Sequence, residues 1–259
     1  MLPGSEEVSD VTRYIETHKD ITLEDKLPEF RSILSHLQSF QRIDGQTRML
    51  EVGTGTGWFP LLCRKNGMSC KGLEISGQLV EYARDFGRKY GLEPDIEAGS
   101  IAEAELGTGA YDVIVAKDTF EHVKDWQRGI RKIQAALRPG GLFYFTSTNK
   151  FSIFPSGEYD FPFYGWLPDG WRYQLRISRQ GADIMRLGID FNQFTYGKLR
   201  RFFQEVGFSR VMDRIQARWA RGAGDLGAWK RRALVCLRHR PLRDVVLVFS
   251  PYTCFTCIK

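Results

Sequence analysis

The sequence predicts an α/β protein in which a mostly parallel sheet carries helices on both faces. Two observations support this prediction. Between residues 48 and 150, short apolar runs alternate with segments of helical spacing, as in parallel strands joined by helices. A glycine-rich turn, Gly53-Thr54-Gly55-Thr56-Gly57, directly follows the first apolar run. Glycine there allows a tight strand-to-helix turn and lets a ligand lie close to the backbone.

Residues 1–47 precede this alternating core, and we predict that they form an N-terminal helical cap. Their apolar side chains recur at the three- and four-residue spacing of one helix face. These side chains are Leu27, Phe30, Ile33, Leu34, Leu37 and Phe40.

The core itself is predicted to contain five strands and their connecting helices. The strands are expected at 49–52, 70–75, 95–101, 111–118 and 142–145. A helix is expected after the fourth strand, beginning at Glu121 and His122. The run Leu137-Arg138-Pro139-Gly140-Gly141 then supplies a helix stop and a glycine turn before the fifth strand.

Residues 194–259 are predicted to complete the sheet. A helix is expected over 195–206 and is ended by Gly207, which favours helix termination. A strand is expected over 209–215, and the final strand over 252–258.

Composition favours a globular enzyme of a reducing compartment. Hydrophobic residues make up 42% of the chain, and no apolar run approaches the roughly 18 residues of a membrane-spanning helix. The acidic start, with Glu6 and Glu7, is unlike a signal peptide, so we predict a cytoplasmic protein. The five cysteines have no disulfide-type spacing, and we interpret Cys254 and Cys257 as strand packing.

Two acidic residues beside the glycine turn indicate which kind of ligand it binds. Glu51 lies two positions before Gly53, which favours a ligand with positive charge over a pyrophosphate. Glu74 ends the next apolar run, where a βαβ unit presents a carboxylate to ribose hydroxyls. The G-x-G-x-G spacing also differs from the G-x-G-x-x-G dinucleotide fingerprint, and no Gly-Lys-Ser/Thr follows it as in a P-loop.

The order of these motifs resembles that of the class I S-adenosylmethionine-dependent methyltransferases, of the type 11/12-like group. The resemblance is carried by the acid and glycine loop, Glu74, the run Tyr111-Asp112-Val113-Ile114, the segment Glu121-His122-Val123 and Leu137-Arg138-Pro139-Gly140-Gly141-Leu142. It implies a Rossmann-like sheet of seven strands whose last strand is antiparallel. It also implies that residues 48–150 bind S-adenosyl-L-methionine and that the helical cap covers this cofactor.

The resemblance further implies roles for individual residues. The glycine loop would approach the methionine part of the cofactor, Glu51 its ammonium and Glu74 its ribose. Ser100 and Ile101 would lie beside the adenine, although the family often has Asp at the position of Ser100. Lys117 would line the site mainly through its backbone. The predicted cofactor-binding residues are Glu51, Gly53, Thr54, Gly55, Gly57, Glu74, Ile75, Ser100, Ile101 and Lys117.

The candidate catalytic residues are Asp118, Glu121 and His122. On a helical turn they would converge and hold a divalent cation. This segment resembles that of ubiquinone-pathway O-methyltransferases and of small-RNA 3′-terminal 2′-O-methyltransferases, where a metal activates the acceptor hydroxyl; those families have Glu at the position of Asp118. Two other interpretations stay open: His122 as a general base without metal, and Asp118 with Glu121 as a helix-capping pair.

Residues 151–193 are predicted to form a substrate lid. The first 23 of them contain nine aromatic side chains interrupted by proline and glycine, and they follow the fifth strand at the edge where such sheets bind ligands. The aromatics would wall the acceptor and contact the sulfonium through cation–π interactions. The predicted lid residues are Phe161, Phe163, Tyr164, Trp166 and Trp171. The alternative is a loop that only packs on the protein.

Residues 214–243 form a basic amphipathic segment, with nine Lys or Arg and one acid, Asp225. Three interpretations stay open. The segment is a helix that lies on an anionic membrane, a surface that binds nucleic acid, or a solvated helix with one face in the core.

The sequence therefore predicts methyl transfer from S-adenosylmethionine to a small molecule, with O-methylation of an aromatic, quinone-like, sugar or lipid-pathway acceptor. An RNA methyltransferase is the alternative, and a catalytically silent binding protein of the same fold is the second. The sequence leaves the oligomeric state undetermined.

Overall fold

A computed structural model of the chain describes residues 11–155, 161–182, 192–222 and 226–259. Parts of the predicted cap, lid and basic segment therefore lie outside the described residues, among them the acidic start and Asp225. Within the described ranges, no helix combines the length and the apolar character needed to cross a membrane.

Seven strands form one sheet in the order β3-β2-β1-β4-β5-β7-β6. The first five are parallel to one another, and β7 is antiparallel to both β5 and β6. The predicted fold with an antiparallel last strand is thus confirmed. The strands are β1 Arg48–Val52, β2 Ser69–Glu74, β3 Ile96–Ala98, β4 Tyr111–Lys117, β5 Leu137–Thr148, β6 Arg210–Asp213 and β7 Tyr252–Ile258.

Helices cover both faces of this sheet, because successive side chains of its strands are apolar on both faces. In β1, Leu50 and Val52 belong to the core under α5 and α7, whereas Met49 belongs to the core under α2 and α3. The helices are α1 Thr12–His18, α2 Leu23–Gln38, α3 Trp58–Lys65, α4 Gly77–Arg88, α5 Trp126–Ala136, α6 Asp169–Gln180, α7 Tyr196–Val206, α8 Arg214–Arg221, α9 Ala228–Cys236 and α10 Arg240–Val248.

The carboxyl ends of the parallel strands lie at one edge of the sheet and place the candidate site residues there. β1 leads into the glycine loop, β2 ends at Glu74 and β4 ends at Lys117. An open α/β sheet binds its ligands at this edge. Parallel pairing of β1 with β2 and with β4 therefore brings together residues that are far apart in the sequence.

Several predicted element boundaries are wrong. β3 ends at Ala98, and β5 begins at Leu137, so the residues expected to form a helix stop and a glycine turn belong to that strand. The helix expected to begin at Glu121 begins at Trp126, because Asp125 accepts the backbone N–H of Arg128 and caps the helix there; residues Phe120–His122 form a separate 3-10 turn. The strand expected over 209–215 ends at Asp213, whose carboxylate caps α8.

In its described part, the basic segment contains three helices instead of one continuous amphipathic helix. Gly222 ends α8, and Pro241 lies in the first turn of α10 after the separate helix α9. α8 buries Ile215 and Ala217, so the interpretation with one face in the core holds for this helix. In α9 no residue is fully buried.

The close packing at the end of the glycine loop gives a stability prediction. Gly57 has φ +75°, and an added Cβ would lie 2.7 Å from Cβ of Ala83 and 2.9 Å from Cδ1 of Ile96. Gly57→Ala should therefore combine backbone strain with overpacking and lower the free energy of unfolding by about 2–4 kcal/mol. Urea unfolding measures this difference.

Gly91→Ala is the matched control. Gly91 has φ +65°, but no atom lies within 4 Å of the added Cβ, so only the backbone strain of about 1–2 kcal/mol is expected. Equal destabilisation by the two variants would contradict the role of packing at Gly57.

Candidate active site

A cavity of about 910 Å³ lies at the carboxyl edge of the sheet. Its walls come from the glycine loop, the ends of β1, β2, β4 and β5, and the helix α1. The volume falls in the range of small-molecule and cofactor sites.

The glycine loop passes between two side chains that leave no room for a Cβ. Gly53 has φ +71°, and an added Cβ would lie 2.3 Å from Cγ2 of Thr119. Gly55 has φ +55°, and its Cβ would lie 2.9 Å from the hydroxyl oxygen of Tyr14. Both positions therefore require glycine, for the backbone angle and for the close approach.

Glu51 is a buried carboxyl group in the wall of this cavity. Burial raises the pKa of Glu51 to about 8, and the hydrogen bond donated by the Thr54 hydroxyl opposes this rise only in part. A cation at this position would stabilise the ionised carboxylate, because its positive charge offsets the cost of burying a negative one.

Glu74 joins the end of β2 to the glycine loop. Its Oε2 accepts the backbone N–H of Gly55 at 2.8 Å, and its Oε1 accepts that of Ser76 at 3.1 Å. Burial raises the pKa of Glu74 although these hydrogen bonds lower it. Each carboxylate oxygen retains capacity for a second donor, such as a hydroxyl in the cavity.

Three further predicted residues lie in the cavity wall beyond Glu74. Ile75 is 41% exposed, which is unusual for an isoleucine beside a cavity and provides an uncovered apolar face. Ile101 is buried, and the Ser100 hydroxyl accepts the N–H of Ala102 at 3.3 Å. The cavity therefore has an apolar part beside a carboxylate.

Lys117 lies in the cavity wall, and its side chain makes two ion pairs that the sequence did not predict. Its ammonium lies 2.9 Å from Oε1 of Glu29 in α2 and 3.2 Å from Oδ2 of Asp118. Burial alone would lower the pKa of Lys117, but the two carboxylates raise it. No sequence pattern pointed to Glu29, because the ion pair joins a cap helix to a strand that lies far along the chain.

Asp118 is held by β5. Its backbone N–H donates to the Thr146 carbonyl at 3.0 Å, and the Thr146 hydroxyl donates to its Oδ1 at 3.0 Å. Asp118 also has φ +50°, a conformation that non-glycine residues adopt mostly where the surroundings impose it.

Glu121 and His122 lie on the 3-10 turn and both line the cavity. Glu121 is buried, and its Oε2 accepts a hydrogen bond from the Ser147 hydroxyl at 2.6 Å. Burial raises the pKa of Glu121 to about 7, while the charge of the half-exposed His122 acts in the opposite direction. The two side chains are therefore electrostatically linked.

The metal interpretation of this segment is not supported. Within the described ranges, no group of three or more His, Cys, Asp or Glu side chains is placed to hold a metal ion. The reason is that Asp118 contacts Lys117 and Thr146, whereas Glu121 contacts Ser147. The expected helical turn that would have brought them together is absent.

The five predicted lid aromatics are not among the cavity-lining residues. Phe161 and Tyr164 are buried against each other with ring centroids 5.1 Å apart. Phe163, Trp166 and Trp171 are exposed. In the described part of this segment, the aromatic side chains cluster with one another instead of facing the glycine loop.

The cavity is covered by α1 and by the end of α6. Tyr14 and His18 of α1 line it, and the guanidinium of Arg13 donates a hydrogen bond to the carbonyl of Gln180. Gln180 is the last residue of α6 and also lines the cavity. Sequence reasoning identified a helical cap but none of these contact residues.

Comparisons with known proteins agree with this arrangement. A sequence model of the methyltransferase domain family matches residues 23–215. Ubiquinone biosynthesis O-methyltransferase of Coxiella burnetii is 25% identical over 165 residues, which cover 64% of this chain and 64% of that protein. Norajmaline N-methyltransferase of Rauvolfia serpentina is 26% identical over 113 residues, which cover 42% and 39%. The matched parts thus span less than two thirds of either relative.

A solved structure shares the fold over nearly its full length. The S-adenosylmethionine-dependent methyltransferase from Mesorhizobium loti has a TM-score of 0.55 and 18% identity to this chain. The match covers 93% of this chain and 99% of that one.

Proposed function

We propose that this chain, which belongs to the methyltransferase domain family and is an S-adenosylmethionine-dependent methyltransferase, methylates a hydroxyl group of a small molecule. The observation that carries the proposal is the pair Glu121 and His122 in the wall of the same cavity as the glycine loop. A buried carboxylate linked to an imidazole supports proton removal from an acceptor.

The cavity residues fit the cofactor. S-Adenosylmethionine carries an ammonium, a ribose and an adenine, and when bound it supplies a sulfonium methyl group that a nucleophile attacks. We assign the ammonium to Glu51, the ribose hydroxyls to Glu74 and the adenine to the apolar wall that includes Ile75. The glycine loop gives the backbone approach that the methionine part needs.

The protein's own contribution to the reaction is orientation and proton removal. The covered cavity would hold the acceptor oxygen in line with the methyl group that the bound cofactor supplies and would exclude water from it. His122 takes the proton of the hydroxyl, and the Glu121 carboxylate stabilises the resulting imidazolium. Ser147 holds Glu121 in place.

A hydroxyl acceptor agrees better with this site than an amine. A neutral amine attacks without prior loss of a proton, so it needs no base next to the methyl donor, whereas a hydroxyl does. The names of the relatives include both an O- and an N-methyltransferase. Amine methylation is therefore the competing outcome of the experiments below.

Cofactor binding should release a proton from Glu51. The carboxyl group is protonated at pH 7 because its pKa in the free protein is about 8, and the ammonium of the cofactor stabilises the ionised form. Affinity should therefore rise as pH increases toward about 8, by up to about tenfold per pH unit. Isothermal titration in two buffers of different ionisation enthalpy measures the released proton.

Glu51→Gln should abolish this proton release and weaken cofactor binding by about tenfold or more. Glu105→Gln is the matched control, because Glu105 is fully exposed and lies outside the cavity. Release of the same proton by the Glu51→Gln variant would refute the assignment of the ammonium to Glu51.

His122→Asn should lower kcat for a hydroxyl acceptor by about 10²–10⁴-fold and leave the affinity for S-adenosylmethionine unchanged. Glu121→Gln should lower kcat less than His122→Asn does. In the wild-type enzyme, activity should rise with pH near 7 as Glu121 ionises, and the Glu121→Gln variant should lack this rise. Formation of S-adenosylhomocysteine with panels of phenols, quinols and amines provides the assay.

Two results would count against hydroxyl methylation. One is turnover of amines only, with full activity in the His122→Asn variant. The other is retention of the wild-type pH profile by the Glu121→Gln variant.

A further inference from the structure

The exposed hydrophobic side chains are concentrated in two segments of the chain. Among the described residues, twelve large hydrophobic side chains are exposed, and eleven of them lie within 154–171 and 229–252. Ile75, in the cofactor cavity, is the exception. Singly scattered exposed apolar residues are ordinary, but a concentration of this kind marks an interaction surface.

Helix α10 exposes a row of apolar side chains, while Arg243 and Leu247 face the core. Leu242, Val245 and Val248 recur every three residues and are exposed. On the opposite face, Arg243 is buried near Asp213, with 3.8 Å between its Nε and the Oδ2 of Asp213. A surface helix usually carries polar side chains on its outer face, so the exposed apolar row of α10 is unusual.

The outer face of α10 continues into the lid segment. The ring of Trp166 stacks on that of Phe249 at 6.3 Å with an interplanar angle of 13°, and Phe163 contacts Trp166 at 5.9 Å. We call Phe163, Trp166, Val245, Val248 and Phe249 the apolar surface. Phe163 is exposed and has φ +60°, an uncommon conformation for a bulky residue, so the fold holds an aromatic ring in solvent at some cost.

Helix α9 places positive charge beside the apolar surface. It is separated from α10 by the three residues 237–239, and its Lys230, Arg231 and Arg232 are exposed. Trp229 on the same helix is 71% exposed. From 226 to 249 the chain contains six Lys or Arg and one acid, Asp244.

We infer that the apolar surface and α9 together bind an anionic membrane surface. Aliphatic and aromatic side chains enter the boundary of the acyl chains, and the adjacent cations contact the headgroups. A second copy of this chain is disfavoured as the partner, because a symmetric contact would bring two basic helices together. RNA is disfavoured because the aliphatic side chains of Leu242, Val245 and Val248, which do not stack on bases, lie among the aromatic rings of this face.

The chain continues from this surface directly into the wall of the active-site cavity, which relates the surface to the substrate. Tyr252 lines the cavity, is 42% exposed and follows Phe249 by three residues. Resting on the proposed function, the inference identifies the acceptor as an amphiphile that reaches the cavity from a membrane. A hydroxyl on an otherwise apolar molecule fits this route.

The test is flotation of the full chain with vesicles of phosphatidylcholine, alone or mixed with phosphatidylglycerol. The protein should float only with the mixed vesicles, and less as salt is added. The triple variant Lys230→Gln, Arg231→Gln, Arg232→Gln should bind about 100-fold more weakly, since each charge contributes about fivefold. The control triple variant Arg64→Gln, Arg88→Gln, Lys89→Gln removes equal charge from exposed positions elsewhere and should bind like wild type.

The apolar contribution is tested by Val245→Ser with Phe249→Ser, which should weaken vesicle binding by about tenfold or more. Circular dichroism and unchanged affinity for S-adenosylmethionine verify that each variant is folded. If this double variant floats like wild type, or if the control triple variant loses as much binding as the α9 variant, the inference is wrong.

Three other results would overturn the inference. They are absence of flotation by a folded wild-type protein, binding of a single-stranded RNA oligonucleotide in place of vesicles at the same salt, and a dimer that the Val245→Ser, Phe249→Ser variant dissociates. Failure of the membrane inference leaves cofactor binding and methyl transfer intact. Failure of the proposed function appears instead as absence of cofactor binding or of hydroxyl methylation, with flotation retained.

Discussion

The hydrogen bond from the Gly55 N–H to Glu74 is the contact on which the rest of the site depends. It joins the loop after β1 to the end of β2, and it is available only because the loop has left-handed glycines that turn this N–H toward the neighbouring strand. Thr119 then lies against Gly53 and Tyr14 against Gly55. The loop conformation thus positions the cap helix α1 and the turn after β4 around one cavity.

That cavity has three buried carboxyl groups in its wall, Glu51, Glu74 and Glu121, and burial raises the pKa of each. Burying carboxyl groups together is unfavourable without compensating partners. In the free protein the compensation is partial: hydroxyls of Thr54 and Ser147 and backbone N–H groups. A cationic ligand with hydroxyl donors supplies what is missing, so the site is more favourable when filled than when empty.

The sequence predicted the sheet, the glycine loop and the carboxylates at strand ends, because each depends on short apolar runs, on turn chemistry or on strand order. It failed where contacts between distant segments decide the outcome. The pairing of Lys117 with Glu29 and the closure of the cavity by Arg13 and Gln180 join segments that no periodicity relates. Likewise, the aromatic content of the lid predicted contacts with the substrate, but it did not reveal that Phe161 and Tyr164 would pack on each other.

Asp213 connects the stability of the sheet edge to the outer surface of the molecule. Its carboxylate caps α8 at the end of β6 and is fully buried there. A buried negative charge is costly unless a positive charge lies beside it. Arg200 and Arg243 provide that positive charge from α7 and α10. Because Arg243 faces inward, together with Leu247 one turn later, Val245 and Val248 lie on the other side of α10 and face outward. The orientation of α10 is therefore a consequence of neutralising Asp213. Its outward positions would accept polar side chains, yet they carry aliphatic ones.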